Sequence, residues 1–269
     1  MDLPAIFGTA GPLIGMLHVP ALPGSPANTL PFESIREWVL RDAAALAGSG
    51  FDGLILENFG DHPFYPGRVP PHTVAWLAVL AQAVRAAHGI ALGINVLRND
   101  AVSALAIAAA AGAEFIRVNV FTGARLTDQG IIAGEAHRLL RYRTALGARV
   151  AILADVAVKH SAALAERSLE DEVEETLQRG LADAVIVTGS GTGKPASLGD
   201  VRRAKAAAGD APVFSGSGAG AGNAAALLAA ADGIIVGTAL KKAGRAANPV
   251  DENAARAFVR AARSSPAGA

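Results

Sequence analysis

Apolar residues along this chain fall into short, nearly unbroken runs, and between the runs they recur at helical spacing. The runs are Leu13–Val19, Gly53–Asn58, Ala91–Leu97, Phe115–Phe121, Val150–Val156, Ala184–Gly189, Pro212–Ser217 and Gly233–Thr238. Strands buried on both faces of a parallel sheet have this pattern, because neither face meets water. The intervening stretches predict helices over Glu33–Ala47, Thr73–His88, Asp100–Ala111, Gln129–Leu146, Leu169–Arg179, Leu198–Ala208, Asn223–Ala231 and Asp251–Arg263. Alternating strands and helices with right-handed crossovers give an α/β fold, and eight such units close a single (β/α)8 TIM barrel. The rival, an open doubly wound sheet, needs a G-x-G-x-x-G turn after its first strand. Here the first run leads instead into His18-Val19-Pro20-Ala21-Leu22-Pro23-Gly24.

The length of 269 residues suits one such domain over 1–269, with residues 264–269 expected to form a disordered tail. Hydrophobic residues make up 51% and charged residues 18%, which excludes a disordered chain. Lys+Arg and Asp+Glu both number 24, so there is no basic field to hold a nucleic acid backbone. The absence of cysteine removes disulfides, thiolate metal sites and Cys nucleophiles. Met1–Ala10 lacks the marks of a signal peptide. The longest apolar stretch, Ala101–Ala113, is too short to span a bilayer and is broken by Ser103. A cytoplasmic protein without an integral membrane segment is expected; peripheral membrane association and homo-oligomerisation stay open.

Three connections that follow strands are long: Pro20–Pro31, Phe59–Pro71 and Ala157–Ser168. Such loops lie on the C-terminal face, where barrel enzymes hold their sites, and are read here as lids. Polar residues stand at nearly every strand end: His18, Glu57, Asn58, Asn95, Arg117, Asn119, Asp155, Thr188, Ser215 and Thr238. One such residue usually satisfies loop backbone. Ten on one rim predict a ligand site, with His18, Asn95, Arg98, Arg117, Asn119, Thr188 and Thr192 binding substrate. The seventh run ends Ser215-Gly216-Ser217-Gly218, and the eighth ends Val236-Gly237-Thr238 before Lys241-Lys242. Glycine lets backbone N–H groups approach an anion, a following helix adds its dipole, and lysine adds charge. Ser215, Gly216, Ser217, Gly218, Gly237 and Thr238 are therefore the predicted phosphate cradle. The Gly-rich stretch Thr188–Lys194 is not a Walker loop, because Pro195 follows Lys194.

Asp155, Lys159 and His160 lie within six residues and could serve as base, charge stabiliser and acid; the plainer alternative is an Asp that caps loop amides. A Schiff-base role for Lys159 is disfavoured by its place beyond the strand end. Glu57 could pair with Asp155 in acid–base work, or the two could hold a divalent metal with His18. No H-x-H or H-E-x-x-H spacing supports the metal, and no other cofactor is implied. Arg98 could clamp a carboxylate or phosphate, while Asn99 and Asp100 could simply cap the next helix.

Several stretches resemble the BtpA/SgcQ family. They are Leu17–Gly24, Asn95-Val96-Leu97-Arg98-Asn99-Asp100, Phe115–Val120, Thr127-Asp128-Gln129-Gly130, Ala154–His160 and the Val236-Gly237-Thr238 end. The resemblance runs from about Phe7 to Phe258. It implies kinship with ribulose-phosphate-binding barrels, which agrees with the anion cradle. It also carries an association with photosystem I biogenesis and with sugar uptake and metabolism. Two functions follow as expectations. The first is an enzyme acting on a phosphorylated sugar or nucleoside-like compound by isomerase, lyase or glycosidic cleavage chemistry. The alternative is a non-catalytic, metabolite-binding assembly or stability factor of the photosystem I biogenesis type.

Overall fold

The computed structural model describes residues 1–158, 161–189 and 196–264. The strands run, in chain order, β1 (Leu13–His18), β2 (Gly53–Glu57), β3 (Ala91–Asn95) and β4 (Phe115–Val118). A hairpin follows, β5 (Ala124–Thr127) and β6 (Gly130–Ala133). Then come β7 (Ala151–Val156), the two-residue β8 (Ala162–Ala163), β9 (Ala184–Thr188), β10 (Val213–Gly216) and β11 (Gly233–Val236). Eight of them close a parallel barrel in the order β1-β11-β10-β9-β7-β4-β3-β2, while β6, β5 and β8 form a small antiparallel sheet. The helices are α1 (Leu3–Phe7), α2 (Phe32–Ser49), α3 (Pro71–Ala87), α4 (Ala101–Ala111), α5 (Ala136–Ala145), α6 (Leu169–Glu174), α7 (Leu198–Ala208), α8 (Ala224–Ala230) and α9 (Glu252–Arg263). The chain is a (β/α)8 barrel.

Side chains alternate along each barrel strand. One set, including Ile14, Met16, Ile55, Phe115, Leu153, Ile186, Phe214 and Ile235, fills the interior. The other, including Leu13, Leu17, Leu54, Leu56, Leu92, Ile94, Ile116 and Ile152, packs against the helices. The interior is tight. A Cβ on Gly93 would sit 2.2 Å from the Phe115 ring, so the large ring depends on its neighbour having no side chain. Helix α1, which the sequence pattern did not predict, closes one end. Asp2 caps it by accepting from the Ala5 N–H, and Gly8, with φ of 72°, ends it. Its Phe7 meets Phe115 and Phe214 edge-on, with centroids at 5.4 and 6.3 Å.

Two predicted helices differ from the structure. The stretch expected to be helical from Gln129 begins instead with the β5–β6 hairpin, and only Ala136–Ala145 is helical. Its turn is self-bonded: the Thr127 hydroxyl donates to the Gly130 carbonyl at 2.9 Å and accepts from the Gln129 N–H at 3.1 Å. Gly130 takes φ of 90°, which suits glycine. The helix expected over Leu169–Arg179 is α6 followed by a π turn over Glu175–Arg179. Of the tail expected over 264–269, all but Ser264 lies outside the described residues.

Candidate active site at the barrel mouth

Alternation decides which strand-end residues face the axis. Glu57 follows Ile55 inward, Arg117 follows Phe115, and Asp155 follows Leu153. The register sets His18 beside Glu57 and Glu57 beside Asn95. Asn58 and Ser215 have the opposite parity and face the helices, so their expected place among the ligand-facing residues is corrected. Asn58 is tied into the loops, accepting from the Leu97 N–H at 2.7 Å and donating to Asp61 at 3.1 Å. Ser215 is fully buried on the side of Val213, which packs with α7, and its hydroxyl cannot touch a phosphate in the mouth.

A cavity of about 260 Å³ opens at the C-terminal ends of the strands. One wall is backbone from Ser217–Gly220 after β10 and Gly237–Ala239 after β11. The rest of the lining includes His18, which adjoins Gly237, together with Glu57, Phe59 and Arg117. Ser217 and Gly218 take φ of 73° and 67° in succession, turning the β10 end across the mouth. The helix expected behind this loop from Asn223 begins at Ala224, within one residue of its expected start. Asn223 accepts from the Gly220 N–H at 2.8 Å and donates to the Gly218 carbonyl at 3.1 Å, so α8 starts only at Ala224. The predicted cradle is thus a stretch of loop backbone ahead of that helix.

Lys241 does not join it. Its ammonium is buried and donates to Asp42 Oδ2 at 2.8 Å, while Asp42 Oδ1 accepts from the Val250 N–H at 2.8 Å. Burial, only partly offset by the Asp42 charge and hydrogen bond, holds its pKa below the ordinary lysine value. The residue faces α2 and anchors the chain after β11.

Glu57 is buried, and its Oε2 accepts from Asn95 Nδ2 at 3.0 Å. His18 Nε2 lies 3.8 Å from the other oxygen, Oε1. His18 Nδ1 is 3.0 Å from the Ala246 carbonyl, which can only accept, so the network assigns the proton to Nδ1. The ring stacks on Phe59 with centroids 4.5 Å apart. A Cβ on Gly237 would come within 3.2 Å of Nε2, so that glycine leaves room for the imidazole.

Arg117 donates through Nε and Nη2 to Asp155 at 2.9 and 3.0 Å, and Asn119 Nδ2 donates to Asp155 Oδ2 at 3.0 Å. Burial works against the guanidinium charge, but Asp155 outweighs it, with a contribution from Glu57, and the Arg117 pKa stands above its ordinary value. Asp155 faces the axis as its position predicts, yet both its oxygens are engaged. The picture of Asp155 as an open proton acceptor beside Glu57 is therefore corrected: it orients Arg117. The same engagement undoes the His18–Glu57–Asp155 metal grouping, and among the described residues no three His, Asp or Glu side chains are placed to hold a metal.

Thr188 points inward, its hydroxyl 3.4 Å from the Ala157 carbonyl, and Gly216 packs against Ile186. Arg98 is buried outside the cavity lining, its N–H donating to the Tyr65 carbonyl at 3.1 Å. Lys159, His160 and Thr192 lie outside the described residues. Phe59 and Ala246 were not singled out from the sequence. An aromatic directly after a strand end was a signal for the first; a carbonyl acceptor leaves none.

The BtpA family model matches residues 9–264, nearly the whole barrel. The chain is a member of the BtpA family. The photosystem I biogenesis protein BtpA of Synechocystis sp. is 46% identical over 261 residues, 97% of this chain and 91% of that protein. An uncharacterized Pyrococcus furiosus protein is 46% identical over 249 residues, 93% of this chain and 94% of its own length. An uncharacterized mitochondrial protein of Caenorhabditis elegans is 37% identical over 263 residues, 95% of this chain and 94% of its own length. Among solved structures, orotidine 5′-phosphate decarboxylase from Pyrococcus horikoshii aligns with a TM-score of 0.59 at 16% identity, covering 94% of this chain and 100% of that one. Phosphoribosyl anthranilate isomerase from Thermus thermophilus aligns with a TM-score of 0.56 at 12% identity, covering 93% and 97%. At these identities the likeness is one of fold. Among the described residues, no helix of this BtpA-family barrel is long and apolar enough to cross a membrane.

Proposed function

We propose that the barrel mouth is the active site of an enzyme acting on a phosphorylated sugar or nucleoside-like compound by acid–base chemistry. One observation carries this reading: a single cavity lined both by glycine-rich loop backbone and by His18, Glu57 and Arg117. Loop amides at Ser217–Gly218 and Gly237–Thr238 would take the phosphate, as anions are taken wherever backbone N–H groups can converge. The rest of the substrate then reaches Glu57 and His18. Isomerisation, elimination and glycosidic cleavage each need one group to accept a proton and another to give one. A carboxylate and an imidazole 3.8 Å apart on one wall supply both. Arg117, held by Asp155, would bind hydroxyl or anionic oxygens. The names of the neighbouring decarboxylase and isomerase, both with phosphorylated compounds, agree with this substrate class.

A second reading is favoured by the name of the Synechocystis relative: a non-catalytic, metabolite-binding factor of the photosystem I biogenesis type. Two variants separate them. In a thermal-shift screen of phosphosugars and nucleotides, Gly237→Asp should abolish stabilisation by any hit, because a carboxylate repels the anion and its Cβ crowds His18. Glu57→Gln should keep the binding but lower turnover about 100-fold or more, the usual scale of acid–base catalysis. Tight binding with no chemistry in the wild type would favour the non-catalytic factor, and a hit indifferent to Gly237→Asp would remove the phosphate site.

A further inference from the structure

Arg117 is only 4% exposed, and what it shows lines the cavity at the barrel mouth. Its Nε and Nη2 each donate to Asp155, whose side chain is fully buried. Among the described residues nothing accepts from the third nitrogen, Nη1. A guanidinium is a flat fork of N–H groups that does not deprotonate. With its Nε edge spent on Asp155, the donors left for the cavity are the N–H groups of Nη1 and the outer one of Nη2. They lie side by side, in the geometry that takes two neighbouring oxygens at once. The pair thus turns its positive end to the cavity and keeps its carboxylate behind. Glu57 shares the lining, near enough for its charge to act on the guanidinium. Among the described residues it is the only carboxylate there.

We infer that the reaction runs through an enediolate held on the free edge of Arg117, and that the substrate is an α-hydroxycarbonyl sugar phosphate. The inference rests on the phosphate reading above and narrows it: isomerisation and elimination stay, and glycosidic cleavage goes. The carbonyl oxygen and the neighbouring hydroxyl oxygen lie on the Arg117 fork. Glu57 takes the proton from the carbon that bears the hydroxyl. The C–H electron pair becomes the C=C bond, and the carbonyl π pair moves onto its oxygen. In isomerisation Glu57 then returns the proton to the former carbonyl carbon while the hydroxyl proton passes to the oxyanion, so no co-reactant is needed. Glu57 loses its charge as the substrate oxygen gains one, and the guanidinium exchanges one anion for another with little rearrangement. Glycosidic cleavage makes the opposite demand. Its transition state resembles an oxocarbenium ion and is ordinarily served by two carboxylates, whereas this lining offers one carboxylate and the donors of a fixed cation.

Calorimetric titration of the full chain with ribose 5-phosphate and two probes of similar length tests it. 4-Phospho-D-erythronohydroxamate carries the neighbouring oxygens of an enediolate; 1,4-dideoxy-1,4-imino-D-ribitol 5-phosphate carries the ring cation of an oxocarbenium ion. The hydroxamate should bind about ten-fold or more tighter than ribose 5-phosphate, the worth of a charged hydrogen bond, and tighter than the iminoribitol. Arg117→Gln with Asp155→Asn should erase that advantage. Removing both ions together leaves neither buried alone, so folding is spared, and thermal unfolding checks this. The three-probe comparison in the wild type decides even where that variant does not fold. If ribose 5-phosphate binds and Gly237→Asp abolishes it, but the hydroxamate falls short of ten-fold, or the iminoribitol binds as tightly, or the advantage survives in the folded double variant, the enediolate route is wrong and the phosphate site stands. If no phosphorylated probe binds, or Gly237→Asp is without effect, the phosphate reading falls and the route falls with it.

Discussion

Replacing Asp42 by Asn leaves the Lys241 ammonium buried against α2 with no countercharge from its hydrogen-bonded partner. At 2.8 Å the wild-type attraction is about 6 kcal/mol with an effective dielectric constant near 20. Desolvating the two ions offsets much of that, so the intact pair is near neutral for stability, whereas breaking it costs about 3–5 kcal/mol. Lysine has an escape, because it can deprotonate. From an ordinary value of 10.5 that escape costs about 5 kcal/mol at pH 7 and about 1.4 kcal/mol at pH 9.5. The penalty of Asp42→Asn should therefore be about 3–5 kcal/mol at pH 7 and shrink by about 1.4 kcal/mol per pH unit once the neutral amine is the cheaper state. The wild type points the same way. Its folded Lys241 value is depressed, so between that value and 10.5 the unfolded chain binds more protons and stability rises with pH relative to Lys241→Met. Urea unfolding of wild type and Asp42→Asn at pH 7, 8.5 and 9.5, with m-values compared, measures this. A penalty under 1 kcal/mol at pH 7, or one that stays flat to pH 9.5, would refute the reasoning.

Arg117 has no such escape, since a guanidinium stays protonated in proteins. Asp155→Asn should destabilise the fold by about 3–5 kcal/mol with a penalty that urea unfolding finds unchanged from pH 7 to 9.5. Gly93→Ala should cost about 1–3 kcal/mol or more, because its Cβ would overlap the Phe115 ring, and thermal unfolding should find most of that restored when Phe115→Leu is added. Phe7→Ala, which removes the ring between Phe115 and Phe214, should cost about 3–5 kcal/mol by the same measurement.

The barrel was legible because its eight strands are apolar on both faces and its helices are not. That same two-sided apolarity hid the inward parity. In a half-exposed sheet, polar alternation would have set Glu57 and Asp155 on one face and Asn58 and Ser215 on the other. Here only the inner packing of Ile55, Leu153 and Phe214 separates them. The cradle glycines were readable as residue types, but the rank of Asp155 was not. Whether a carboxylate is open or engaged depends on Arg117, 38 positions away. Lys241 failed for a related reason: sequence places it after a strand end predicted to bind phosphate, and only the fold turns it toward Asp42 on α2. The β5–β6 hairpin was announced by Thr127-Asp128-Gln129-Gly130, whose turn chemistry outweighs the helical spacing beyond it.

The closing of one barrel end by α1 bears on how a ribosome-borne chain reaches this state. Phe7 is synthesised early, but one ring it docks against, Phe214, comes more than two hundred positions later. The strand β1 likewise pairs with β2 soon and with β11 only at the far end, through Leu13–Ile234 and its neighbours. For most of translation the nascent chain therefore carries an unpaired β1 edge and an unplaced aromatic ring side by side. Contacts so distant in sequence form slowly, and the exposed edge invites intermolecular pairing while it waits. Pulse-labelled amides of β1 on the β11 side should gain protection last during refolding, together with those of α1.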